Sequence, residues 1–313
     1  MDVNKLAVDK EKRQHYRQLN VFVIISITIA LIILRIIFIF FHEELSGIFF
    51  IDILMKNRDL NFRTNYDLMQ NGVFNYYEEN PLIDESAIYL YFWYFIFYPF
   101  YIIPFEVSVY IWDLLRFISM IYITINIYKI VQNKNDLLFF IIFSSIGYFA
   151  DMYLNNTNWL IQLFLYESYI QLEKKRKFLS GIFFALATFK VILIIIPIIY
   201  IIIKKIKAKD LIYYVLPLML ICIPYLIFPE YFLSMVSNWV QSGDISSGLA
   251  FFSIAWRLIQ PAHLMFISII ALIIPMNIKN EILRNKISFI IYTSVFIGWV
   301  LMWLIILEFA LFL

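Results

Sequence analysis

Long apolar runs follow one another from Val21 to the end of the chain, and most of the charge is confined to the stretches between them. Runs of this length without a two-residue alternation leave the backbone one option in hydrocarbon. Each N–H and C=O must be satisfied within its own segment, as in an α-helix. The runs cover about Val21–Phe41, Ile88–Ile103, Phe105–Ile130, Leu137–Tyr153, Trp159–Leu172, Phe178–Ile203, Leu211–Phe228, Ala250–Met276 and Ile287–Leu313. The chain is 63% hydrophobic, against roughly 45–50% in soluble domains. The expected fold is therefore all-α: a single polytopic membrane domain over 1–313 with about nine to eleven transmembrane or re-entrant helices.

One run carries a charge at its centre. Lys190 sits midway along Phe178–Ile203, between the basic clusters Lys174-Lys175-Arg176-Lys177 and Lys204-Lys205-Ile206-Lys207. A lone ammonium at bilayer depth costs roughly 2.5–3.5 kcal/mol on insertion scales and marks a functional position by default. Short basic loops stay cytoplasmic, so both ends of the run belong on one face. That predicts a hairpin of two short arms with Lys190 near its apex, each arm reaching ~18 Å at 1.5 Å per residue. The competing reading is a helix end from which the lysine snorkels to the interface.

The basic stretch before Val21 places residues 1–20 in the cytoplasm and makes the first run a retained span. Residues 42–87 then form a long first outer loop, with short amphipathic helices over Leu45–Met55 and Asn65–Gln70, and residues 229–249 form a second. Forward counting puts Gln132–Asp136 outside, whereas backward counting from the lysine clusters puts it inside. One segment between Ile88 and Leu172 is therefore re-entrant or split. Arg35 is read as snorkelling outward from the first span toward lipid phosphate or the first loop, and Asp113 with Arg116 as an i,i+3 pair that lowers the cost of burying charge. The aromatic stripe Tyr89–Tyr101 reads as an interfacial belt, with a sugar-stacking platform as the other reading. A single cysteine, Cys222, and three scattered histidines provide no disulfide framework and no thiolate metal set. No cofactor is implied, a divalent metal is not readable, and no nucleic-acid motif or phosphate loop is present.

The first loop holds a concentration of carboxylates, and within it runs Asp59-Leu-Asn-Phe-Arg63-Thr-Asn-Tyr66-Asp67-Leu-Met-Gln-Asn-Gly72, followed by Tyr76-Tyr77. An Asp, a Tyr several residues on, then a Gly and a Tyr resembles the first outer loop of GT-C glycosyltransferases of the GT87 type. The proline-bearing aromatic stretch Tyr89–Tyr101 follows in family order. Asn155-Asn156-Thr157-Asn158-Trp159 resembles the family's G-Q-x-N segment, with Asn-Asn in place of Gly-Gln. Ser180-Gly181 through Ala185-Leu-Ala-Thr-Phe-Lys190 is similar to its small-residue helix ending in lysine. Ser246-Ser247 through Trp256-Arg257-Leu258 is similar to its outer loop ending in an Arg-Leu pair.

The resemblance implies an inverting hexosyltransferase on the outer face of the cell membrane. It would move a sugar, most often mannose, from a polyprenyl-phosphate donor to a lipid-linked or cell-surface glycan. The acceptor hydroxyl must lose a proton as it attacks, which asks for a carboxylate within hydrogen-bond reach. The departing phosphate asks for fixed cations. Asp59, with Asp67, Asp52 and Glu78 as substitutes, suits the first role; Lys190, Arg257 and Arg63 suit the second; Tyr66, Asn156, Asn158 and Trp256 are the implied substrate contacts. The expected partners are the donor, the acceptor and membrane lipid. A transporter or flippase of polyprenyl-linked sugars, or a glycan polymerase, are the alternatives. Transporters often repeat their interrupted helices in matching halves, and no such self-similarity is evident here.

Overall fold

The computed structural model describes residues 3–45, 47–79, 87, 89–131, 133–188, 191–244, 263–278 and 280–312. The elements among them are helices α1 (Val3–Phe40), α2 (His42–Leu45), α3 (Phe49–Asn57), α4 (Leu60–Leu68), α5 (Phe92–Tyr101), α6 (Phe105–Ile130), α7 (Lys134–Leu154) and α8 (Asn158–Glu173). There follow α9 (Lys177–Ala187), α10 (Ile196–Ile202), α11 (Ile212–Ile221), α12 (Ile223–Ile227), α13 (Pro229–Asp244), α14 (Leu264–Met276) and α15 (Glu281–Phe312). Single tighter turns occupy Met69–Asn71, Val191–Ile195 and Ala208–Leu211.

Among the described residues three helical stretches are long and apolar enough to cross a membrane: Gln14–Phe40, Phe105–Ile130 and Asn135–Leu154. The described part of the first loop carries three short helices, α2, α3 and α4, with other bounds than the expected Leu45–Met55 and Asn65–Gln70. The run Ile88–Ile103 behaves differently from a span. Its helix, α5, has 10 residues and rises only ~15 Å, half of a ~30 Å hydrocarbon core. Pro104 stops it, because the residue before a proline is driven out of the helical region. The stripe within α5 is divided: Phe92, Trp93, Tyr94 and Phe97 are buried while Phe95 and Tyr98 are exposed. Much of the predicted belt is therefore core.

The chain forms two compact units. The first comprises Met1–Leu60, Asp113–Trp159 and Ile259–Leu313; the second comprises Asn61–Trp112 and Leu160–Leu258.

In the first unit α7 packs against both α1 and α14. Gly147 permits the α14 contact, since a Cβ there would lie 2.3 Å from the Met265 backbone nitrogen. Thr28 Oγ1 and Tyr148 Oη share a 2.7 Å hydrogen bond between α1 and α7. At one end of this unit Tyr128 Oη donates to the Tyr16 carbonyl (3.2 Å) and Asn133 Nδ2 to Asn285 Oδ1 (3.4 Å). Tyr292 Oη donates there to Asp136 Oδ1 (3.1 Å). The α6–α7 connection thus lies at the same end of this unit as Tyr16.

In the second unit α9 packs on α11 at Gly181, where a Cβ would fall 1.8 Å from the Tyr213 carbonyl oxygen. A buried hydroxyl cluster surrounds this crossing. Ser180 Oγ donates to the Ser168 carbonyl (2.7 Å) and bonds Tyr214 Oη (2.9 Å), while Tyr200 Oη donates to Ser168 Oγ (3.3 Å). Ser180 on α9 and Tyr200 on α10 therefore meet the same serine. In one continuous helix they would stand ~30 Å apart, so α9 and α10 are not parts of one helix; the expected apex, Lys190, lies outside the described residues. The clusters converge as well: Lys205 pairs with Glu173 and Lys177 Nζ with Asp210 Oδ1 at 2.9 Å. The first loop is tied into this unit through Asn238, whose Nδ2 donates to the carbonyls of Tyr77 (2.9 Å) and Ala87 (3.1 Å). Tyr77 Oη and Tyr225 Oη also share a 2.7 Å hydrogen bond.

Candidate functional site

Asp59 lies between α3 and α4 with φ 62°, a left-handed conformation that aspartate tolerates better than most residues. Its backbone N–H donates to the Tyr153 carbonyl (3.1 Å), which fixes the turn against the end of α7. The side chain is buried, not solvated. Arg35 grips it with two parallel bonds, Nε to Oδ2 (2.8 Å) and Nη2 to Oδ1 (2.7 Å). Arg58 Nη1 (2.8 Å) and Asn155 Nδ2 (2.9 Å) add two more donors on Oδ1. Among the described residues Oδ2 therefore accepts from Arg35 Nε alone.

The network continues inward. Arg35 Nη1 meets Asp113 Oδ2 at 2.6 Å, Arg116 pairs with Asp113, and Arg116 Nε donates to Asp151 Oδ2 (2.9 Å). Arg116 Nη2 reaches Asn155 Oδ1 and the Asn156 carbonyl (3.1 Å). Asp151 then opens the next helix: its Oδ1 accepts from the Asn158 backbone N–H (3.0 Å). Its carbonyl accepts from Asn156 N–H (2.9 Å), and Asn155 takes the left-handed conformation, φ 55°, that turns α7 into α8. Three arginines and three aspartates balance within this cluster. Isolated charges would cost several kcal/mol each to bury, whereas a paired, charge-neutral set is better tolerated.

Arg58 is only partly engaged. Its Nη1 donates to Asp59 and to the carbonyls of Met152 and Tyr153 (both 2.6 Å), and its guanidinium lies 5.7 Å from the Tyr153 ring centre. Its Nε and Nη2 are buried without a hydrogen-bond partner among the described residues. Burial, with the Arg35 charge, brings this group down to about 10 despite the opposing pull of Asp59.

Asp67, Arg63 and Tyr66 belong to the second unit, on α4. Phe62, Asn65 and Leu68 form the buried face of this helix, and Trp93 Nε1 donates to Asn65 Oδ1 (2.9 Å). Arg63 is exposed, its guanidinium 5.6 Å from the Phe105 ring centre. Asp67 is half-buried. Burial pushes its carboxyl upward and Arg63, at i−4, pulls it back. Tyr66 Oη donates to the Ile103 carbonyl (3.1 Å) and its ring meets Tyr101 and Phe105 at 5.2 and 5.4 Å. Lys190, Trp256 and Arg257 lie outside the described residues.

The structure thus brings Asp59 together with Asn156 and Asn158 through Arg116 and Asp151. Arg35 reaches the first loop, one of its two expected partners, through Asp59, but it does so buried, 4% exposed, because two buried carboxylates reward it more than the interface does. Asp113 and Arg116 do pair, as one segment of a longer chain that includes Arg58 and Asp151. The signal for that chain was present in the sequence. Arg35, Asp113, Arg116 and Asp151 all interrupt apolar runs, and charges at such depth require partners of opposite sign.

Compared with known proteins, residues 88–309 match the sequence profile of a family described as Glycosyltransferase family 87. That range covers well over half of the chain and begins after the first loop. No curated protein and no solved structure matches.

Proposed function

Since the chain belongs to glycosyltransferase family 87, a family of membrane glycosyltransferases, we propose that it transfers a hexose, mannose first among candidates, from a polyprenyl-phosphate donor. The acceptor is a lipid-linked or cell-surface glycan at the outer face of the membrane. The observation that carries this reading is the neutral, fully buried set of ion pairs that ends on Asp59. Such an arrangement holds one carboxylate oxygen in a fixed direction, as general-base chemistry requires.

In the proposed reaction Asp59 Oδ2, which keeps a lone pair, takes the proton of the acceptor hydroxyl as that oxygen attacks the anomeric carbon. The bond from that carbon to the phosphate oxygen breaks on the opposite face. A polyprenyl phosphate monoester leaves with the electron pair, and the sugar's configuration inverts. The two unpartnered nitrogens of Arg58 suit a phosphate oxygen, with Lys190, Arg63 and Arg257 as the further cations implied by the family. Asn156, Asn158, Tyr66 and Trp256 are proposed as sugar contacts. Asp67 is the second candidate base, favoured by its upward-shifted carboxyl.

The membrane arrangement follows from helix length. If α5 stays on the outer face, the first span, α6 and α7 alternate so that Gln132–Asp136 returns to the cytoplasmic side with the lysine clusters. This agrees with the positive-inside rule.

Membranes containing the protein, incubated with radiolabelled polyprenyl-phosphate mannose and, separately, glucose, should yield labelled acceptor with one of them. Absence of transfer from both, with solute flux in vesicles, would overturn the reading in favour of transport.

A further inference from the structure

At one end of the second unit two turns distant in sequence form a single cationic cradle. The α8–α9 turn contributes Lys174, Lys175 and Arg176, and the stretch after α10 contributes Lys204, Lys207 and Lys209; all six are exposed. Lys175 and Lys204 occupy equivalent places, each in the left-handed conformation with φ 60° and 59°. Their N–H groups close the ends of α8 and α10 on the carbonyls of Leu172 (2.9 Å) and Ile201 (2.8 Å). The turns are clasped by Lys205 on Glu173 and by Lys177 on Asp210 (2.9 Å). Asp210 is further held by the Lys207 N–H at 3.0 Å. Both acids of the region are thus committed to cations other than the exposed six.

Directly beyond the cations the surface is apolar. Phe178, Ile202 and Ile212, on α9, α10 and α11, are exposed at 46%, 71% and 57%. A clustered positive charge bordering exposed aliphatic helix is complementary to an amphiphile with an anionic head and acyl chains. Basic groups placed between apolar helices at a membrane surface attract anionic headgroups.

We propose that this cradle is a binding site for an anionic phospholipid. The headgroup phosphate sits among Lys174, Lys204, Lys207 and Lys209, and an acyl chain lies along Ile202 and Ile212. The proposal does not depend on the glycosyltransferase reading. A lipid seated here would bridge the two turns.

The test uses the full chain in non-ionic detergent, titrated with fluorescent phosphatidylglycerol and, separately, phosphatidylcholine. Phosphatidylglycerol should bind at least about tenfold more tightly, and the difference should vanish at ~1 M salt, where the screening length falls to ~3 Å. The quadruple variant Lys174→Gln/Lys204→Gln/Lys207→Gln/Lys209→Gln should lose the preference while Lys129→Gln, an exposed lysine elsewhere, keeps it. Equal binding of the two lipids by the wild-type protein overturns the proposal, whether or not the variant folds. So does displacement of the lipid by millimolar inorganic phosphate alone, which would indicate a site for free anions.

Discussion

Asp59 and Arg35 carry the residue-scale consequences. Asp59→Asn keeps the size of the side chain and removes the base. Transfer should fall at least ~100-fold while the protein still inserts, as judged by labelled-donor assay beside membrane yield. Wild-type turnover by a well-inserted Asp59→Asn variant would shift the base to Asp67. The pH profile tests Asp67 independently. A carboxyl held above its ordinary range binds its proton more tightly when folded, so it costs stability above that folded value and ceases to cost it as the pH falls. Asp67→Asn should accordingly raise the melting temperature at neutral pH, with the gain shrinking in acid. If Asp67 is the base, the acidic limb of kcat/KM should also sit above the ordinary carboxylate range. Arg35→Met is expected to be severe for a different reason. It leaves Asp59 and Asp113 buried with only Arg58 and Arg116 between them, and stripping one partner from a buried pair costs about 3–5 kcal/mol, readable as a large loss of thermal stability.

At the scale of elements, two helix crossings depend on the absence of a side chain. A methyl group at Gly181 meets the Tyr213 carbonyl, and one at Gly147 meets the Met265 backbone nitrogen; neither neighbour is a flexible side-chain tip that can move aside. Gly181→Ala should destabilise by about 1–3 kcal/mol and open the α9–α11 crossing, whereas Gly47→Ala, with open space around it, should be nearly silent in the same melting assay. The resemblance had marked Gly181 only as part of a small-residue helix. The structure supplies the reason for the small residue: backbone meets backbone, and the hydroxyl cluster of Ser168, Ser180, Tyr200 and Tyr214 forms around that approach. α5 illustrates the opposite limit of sequence reading. Its apolar run has the composition of a span, but Pro104 leaves it only half the required length.

For the whole molecule the expectation concerns sidedness. On a Cys222→Ser background, single cysteines at Asn135 and Lys175 should react with a membrane-impermeant maleimide only from the cytoplasmic side, and one at Glu78 only from outside. Labelling of the Asn135 and Lys175 positions from opposite sides would refute the assignment of α5 to the outer face.

The sequence by itself determined the all-helical class, the membrane setting and the family. Those follow from local quantities: run length, the position of basic clusters, and motif order along the chain. The tertiary structure decided which charges belong together. Arg35, Arg58, Asp59, Asp113, Arg116, Asp151 and Asn155 are drawn from four separate stretches of sequence. Their pairing depends on how α1, α6 and α7 are turned about their axes, and no single segment encodes that rotation. Composition shows that buried charges must be compensated; only packing shows that the compensation converges on Asp59.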